Sequence, residues 1–203
     1  MGFLDALMGG KKKLQGVAPD RLFAMTTAHV AMQTELSMES AGAAAIVFQA
    51  LETSDFDQIL RDAEELLRGT ADEMEATIES ADDEFGYRWM VLRDPDFDDL
   101  VVSLNTISTE LQGGGYGDRL LAAVFAFEQD TKHSASMPNP SRKGKRVYFI
   151  YNFKRGAFYP FVPIGSEKKR DTPRELRLKA QLANEIPFEE DTTRWFPLWE
   201  IPL

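Results

Sequence analysis

The sequence predicts an α+β fold, a single domain with a mainly antiparallel bent sheet covered by helices. Residues 85–94 sort onto two faces with period two, as a strand does: Phe85, Tyr87, Trp89 and Val91 on one, Arg88, Met90 and Leu92 on the other. Residues 146–165 hold two aromatic-rich runs around a Lys-Arg-Gly turn, which reads as a hairpin. Several other segments space their apolar residues three and four apart, as amphipathic helices do. Strands in runs with helices set among them build an antiparallel sheet covered on one face.

Residues 1–16 read as an N-terminal amphipathic segment with its linker, and residues 17–203 as the domain. If residues 2–8 coil, Phe3, Leu4, Leu7 and Met8 share one face, Gly9 and Gly10 stop the helix, and Lys11, Lys12 and Lys13 follow. Such a segment either docks on the protein's own core or touches a membrane or a partner. Each lysine near an anionic surface contributes about 1 kcal/mol, which supports weak, reversible contact.

Asp20 is positioned to cap a helix carrying Leu22, Met25, His29, Met32 and Leu36 on one stripe. His29 on that stripe is either a core histidine or a functional one. Residues 43–51, AAAIVFQAL, read as a buried strand. Ser54 with Asp57 forms a weak capping box for a helix that places Phe56, Ile59, Leu60, Ala63, Leu66 and Leu67 on one face. Residues 71–84 are acidic and read as a solvated loop with a short strand near Thr77 and Ile78. After the strand at 85–94, DPDFDD turns the chain and LVVSLNTIS (100–108) returns as a second strand. GGGYG leads into DRLLAAVFAFEQ (118–129), apolar nearly all round and therefore read as a central helix. Residues 130–146 are polar and rich in Pro and Ser, and read as a flexible loop. In the hairpin that follows, Pro160 and Pro163 place the second strand at a sheet edge. Thr172, Pro173 and Glu175 read as N-cap, first helical position and capping-box partner of the last helix. Residues 187–203 end in RWFPLWEIPL, read as an extended aromatic C-terminal arm packed across the body.

The chain of 203 residues has a net charge of −10, no cysteine and two histidines. So acidic a body repels phosphate backbones, which disfavours nucleic acid as a partner. No apolar run approaches the roughly 20 residues that span a bilayer, and no export signal is evident. The expected location is therefore cytoplasmic, peripheral on the inner face of the membrane if the leading segment binds lipid. The chemistry-bearing patterns are weak. Asp94, Asp96 and Asp98 begin like a calcium loop, but Asp99 stands where glycine is needed and Asn105 where a bidentate glutamate is needed. GGGYG lacks the Lys-Ser/Thr of a phosphate cradle. No nucleophile has a base at a recognisable spacing. The expectation is no catalytic residue, no metal site and no cofactor.

The stretches MGFLDALMG, APDRLFAMTTA, DDEFGYRWMVLRDPDFDDLV, GGYGDRLLAAVFAF, VYFIYNFKRGAFYPFVP, RELRLKAQL and RWFPLWEIPL resemble the PspA-associated protein PspAB family. The resemblance implies an envelope-stress setting: association with the membrane-binding effector PspA and with a membrane-bound HtpX-type protease. The predicted element order is also similar to the YbjN and type III secretion chaperone fold, with an extra helix at 54–68.

The function expected is a non-enzymatic adaptor or regulator. Phe3, Leu4, Leu7 and Lys11, Lys12 and Lys13 are its candidate membrane or partner contacts. Tyr87, Trp89, Tyr159 and Phe161 are further partner-contact candidates, aromatic positions on strands that equally suit a core. The alternatives are a chaperone-like protein that holds an extended client, or a small-molecule binder with a pocket where groups such as Arg88, Glu110 and Tyr151 converge.

Overall fold

The computed structural model describes residues 19–70, 76–129, 145–165 and 167–203. The N-terminal amphipathic segment and most of the loop at 130–146 lie outside them. A short 3-10 turn, Pro19–Phe23, leads into α1 (Ala24–Leu36). The chain continues through β1 (Met38–Gln49), α2 (Ser54–Thr70), β2 (Thr77–Asp82), β3 (Tyr87–Arg93), α3 (Phe97–Gly113), β4 (Leu120–Gln129), β5 (Lys145–Asn152) and β6 (Ala157–Phe161). A two-residue ladder joins β7 (Pro163–Ile164) to β8 (Lys169–Arg170), and α4 (Thr172–Gln181) follows. The class is α+β: the six long strands form one antiparallel sheet in the order β2-β3-β1-β4-β5-β6.

The register sorts side chains onto two faces. Ala44, Ile46 and Phe48 of β1 align with Leu92 and Met90 of β3 and with Phe125 and Ala123 of β4. Phe125 pairs in turn with Phe149, and Tyr151 with Phe158. These residues meet the helices in one core with Met25 and Met32 of α1, Phe56 and Ala63 of α2, and Leu104 and Ile107 of α3. The intervening residues, among them Ala45, Val47, Val91, Val124 and Ile150, form a second buried cluster on the opposite face. The sheet is therefore buried on both faces, not on the one face expected.

Double burial explains the main departure from the sequence reading. Residues 120–127 are all buried because β4 is a central strand covered above and below. Such a strand reads as a continuous apolar run, which periodicity alone does not separate from a buried helix. Conversely, residues 100–108 belong to α3. Its buried residues Phe97, Leu100, Val101, Leu104, Ile107, Ser108 and Leu111 keep helical spacing, although the β-branched residues among them suggested a strand. The Asp96 carboxylate accepts from the Asp98 N–H and caps the helix, and Asp94 accepts from the Asp96 N–H in the turn before it. The acidic stretch contains a full six-residue strand, β2.

Two caps also shift by one residue. Thr53 Oγ1, not Ser54, accepts from the Phe56 N–H at the start of α2. At α4 the Asp171 carboxylate accepts from the Arg174 N–H, so Thr172 is already helical. The Lys154–Arg155–Gly156 turn stands as read, with Gly156 at φ 62°, and β6 with its Pro160 is an edge strand. In β1, a register shift between Ser40 and Ala44 brackets Gly42. Its φ of 64° suits glycine, and a Cβ there would meet the Asp94 carbonyl oxygen at 3.3 Å.

His29 packs between α1 and α3, its ring centroid 4.2 Å from that of Phe97 and 6.0 Å from that of Phe127. Its Nε2 is buried without a hydrogen-bond partner. Burial lowers its pKa, against the weaker opposing pull of Glu39, Asp98 and Asp96. The folded state thus holds the imidazole neutral, while the unfolded chain takes up a proton near pH 6.5. This contribution is present above that pH and lost below it. In urea titrations, stability should fall between pH 7 and pH 5, and His29→Phe, which keeps the ring contacts, should flatten the dependence. An equal slope in the variant would remove His29 as its source.

Candidate functional site

The sheet face turned away from the helices has an unusual relief. The smaller side chains lie along its middle: Ala43, Ala45 and Val47 on β1, Ala122, Val124 and Ala126 on β4. Large ones stand on either side: Tyr87 and Trp89 on β3, Tyr148 on β5, Tyr159 and Phe161 on β6. The middle of the face is therefore lower than its flanks, a trough that runs with β1 and β4. The C-terminal arm lies against it, with Trp195 and Leu198 buried in the same cluster and Phe196, Trp199, Ile201 and Leu203 packed beside them.

The arm enters at one edge and ends near the other. At β6, the Phe158 N–H donates to the Pro187 carbonyl and the Glu189 N–H to the Phe158 carbonyl, each at 2.8 Å, a short parallel bridge. Trp195 Nε1 then donates to the Glu189 carbonyl at 2.9 Å. The Trp199 ring meets Phe161 edge-on with centroids 5.1 Å apart. Near the end, Arg93 of β3 reaches the Pro202 carbonyl at 3.5 Å. No regular helix is available to a segment with prolines at 187, 197 and 202, and its extended backbone is interrupted by a 3-10 turn at Thr192–Arg194 and by Glu200 at φ 64°.

A buried ion pair fastens the arm. Glu175, 0 % exposed, accepts from Arg170 Nε at 2.8 Å (Oε2) and 3.1 Å (Oε1) and from the Val162 N–H at 2.8 Å. Arg170 Nη2 lies 2.7 Å from Glu175 Oε2, and Nη1 donates to the Trp195 carbonyl at 2.5 Å. The guanidinium also stands 5.6 Å from the centroid of the Phe161 ring. One charge pair therefore ties together the β7–β8 ladder, α4, β6 and the arm. Sequence reasoning assigned Glu175 to a capping box and missed this role. The usable signal was its place on the Leu178 and Leu182 stripe of α4, which points it inward. Beside the pair, the Tyr159 hydroxyl is fully buried without a hydrogen-bond partner, and burial pushes its pKa far upward.

The aromatic contact candidates Tyr87, Trp89, Tyr159 and Phe161 are thus brought together, all buried in the trough cluster. Phe3, Leu4, Leu7 and Lys11 to Lys13 lie outside the described residues. Arg88, Glu110 and Tyr151 do not converge. Arg88 forms an ion pair with Asp82, Glu110 is exposed on α3, and Tyr151 is buried in the helix-side core. An open cleft elsewhere, lined by Val30, Thr34, Asp98 and Glu185 among others, contains none of the three. Of the four aspartates at 94–99, Asp94 and Asp96 serve the turn and the α3 cap, and Asp98 and Asp99 stand in the first turn of the helix. Asp99 has its pKa raised by burial and by its carboxylate neighbours. GGGYG is followed by a 3-10 turn and β4, so no helix N-terminus faces it. Among the described residues no group of three or more histidine, aspartate or glutamate side chains is arranged to hold a metal ion.

The geometry defines an α+β protein whose sheet face receives an extended aromatic segment. The chain belongs to the PspA associated protein B (PspAB) family, whose model matches residues 1–203, its whole length. That family name carries association with PspA. Neither the curated proteins nor the solved structures provide a match, so the likeness to the YbjN and type III secretion chaperone fold gains no support.

Replacing Glu175 by alanine would leave Arg170, 21 % exposed, without its partner and the buried Val162 N–H unpaired. Leaving such a buried donor unsatisfied costs about 1–3 kcal/mol, and the partly exposed charge adds less than a fully buried one would. Chemical denaturation should show a loss of that size for Glu175→Ala, with increased proteolysis of the chain beyond Trp195. A loss below about 1 kcal/mol would show that the pair does not fasten the arm.

Proposed function

We propose that this protein is a non-enzymatic adaptor of a PspA-type envelope-stress response, one that works by binding protein and, through its leading segment, the membrane surface. The observation that carries the reading is the match of the whole chain to a family named for association with PspA. The trough on the sheet face is occupied by the chain's own arm. The family supplies the partner class, since its name associates the chain with PspA. A membrane-bound HtpX-type protease is the second proposed partner, by the same envelope setting.

The leading segment supports the membrane part from sequence alone. Phe3, Leu4 and Leu7 would enter the interface while Lys11, Lys12 and Lys13 meet anionic headgroups. No described helix is long and apolar enough to cross a bilayer, so contact of this kind would be peripheral. A chaperone-like role, holding an extended client, is the second reading, and the same trough favours it. It requires the arm to give way to a client, whereas the adaptor reading leaves the arm in place.

Two measurements test the proposal. Affinity purification from membrane-stressed cells should recover PspA, and recovery of neither PspA nor the protease would refute the adaptor reading. Vesicles containing anionic lipid should co-sediment the full chain. Removing residues 1–13 deletes three lysines worth about 1 kcal/mol each, so partitioning should fall roughly a hundredfold. Equal partitioning of the two forms would eliminate the membrane contact.

A further inference from the structure

The two edges of the sheet are finished differently. At β6, Pro160 lacks an N–H, and residues 187–189 pair with Phe158 along the outer side. At the opposite edge, β2 runs six residues in unbroken register with β3, from Thr77 opposite Arg93 to Asp82 opposite Arg88. It has no proline, no lysine and no bulge, and its charged side chains are Glu79 and Asp82. No described residue pairs with its outer side.

β2 is also ordered at little gain to the core. Five of its six residues are exposed, and only Ile78 is half-buried against the helix-side cluster. What holds the strand is its inner ladder and a polar corner. Arg88 donates to both Asp82 oxygens at 2.7 and 3.0 Å. The Asp83 carboxylate accepts from the Phe85 and Tyr87 N–H groups and from Trp89 Nε1. The outcome is a straight strand exposed on both faces, with one row of backbone donors and acceptors turned outward. That is the geometry to which an extended chain adds by backbone pairing.

Charge selects the occupant. The described residues 76–84 hold four acids, Glu79, Asp82, Asp83 and Glu84, and no lysine or arginine, with Asp82 alone among them in an ion pair, to Arg88. Glu79 projects from the strand with no ion pair among the described residues. A second copy of this chain would bring an equally acidic edge against it, and like charges across a ladder are destabilising. We propose that β2 is a docking edge for an extended, lysine- or arginine-rich segment of a partner protein, which adds as a seventh strand.

The test uses the full chain and a labelled ten-residue peptide alternating lysine with threonine and valine. Its control is the same peptide N-methylated at alternate amides, equally charged but unable to form a ladder. The unmodified peptide should bind saturably, slow amide exchange at 77–82 at least tenfold, and bind at least tenfold more tightly than the control. The double variant Glu79→Lys/Ala81→Lys, changed only at exposed positions, should weaken binding at least tenfold. The proposal is overturned by an absence of binding, by equal affinity of the control, by binding without protection at 77–82, or by unchanged affinity of the variant. A concentration-dependent dimer that protects 77–82 without peptide would assign the edge to a second copy and overturn it equally.

Discussion

A sheet that is apolar on both faces must have both faces covered, and in this chain the second cover is a segment with no regular structure of its own. Helices α1, α2 and α3 cover one face in the ordinary way of α+β proteins. The other face carries Val47, Trp89, Val91, Ile150 and Tyr159, which would expose a large apolar surface if left bare. The arm from 187 to 203 meets that requirement. Its aromatic side chains pack in one cluster with the alanine and valine side chains of β1 and β4. Each fully buried Trp195 or Leu198 contributes roughly 1.5–3 kcal/mol.

The arm would be a weak cover if hydrophobic contact alone held it, because an extended segment gives up much backbone freedom on docking. Polar ties limit that freedom at its root. The Arg170–Glu175 pair and the Phe158 bridge fix residues 187–195, and the tie of Arg93 to Pro202 near the end is long and exposed. The arm is therefore firmly rooted and lightly held at its tip. This gradient is what the client-holding reading requires, since a client would meet the tip first.

Much of this was legible in the sequence, and the failures have one cause. α1, α2 and α4 stand in residues whose periodicity matches one buried face, β1 in a short apolar run, and β3 and the β5–β6 hairpin in alternating or aromatic-rich segments bounded by turns. β4 and α3 were exchanged because tertiary context removed the cue. A strand covered on both sides loses its alternation, and a helix with valine and isoleucine at buried positions imitates a strand. The aromatic residues of the trough were visible as candidates, but nothing local joined Tyr87 and Trp89 to Phe161 and the arm, since that junction is made by strand order. Glu175 failed for a related reason: a glutamate at the third helical position satisfies a capping pattern whether or not a buried arginine waits beside it.

The central claim is that the arm is an integral layer of the core. Deleting residues 195–203 tests it most directly, by comparing unfolding free energy and dye binding to exposed apolar surface with those of the full chain. The account predicts a loss above about 5 kcal/mol, or failure to fold, with strong dye binding by whatever folded protein remains. Unchanged stability with no new dye binding would contradict it.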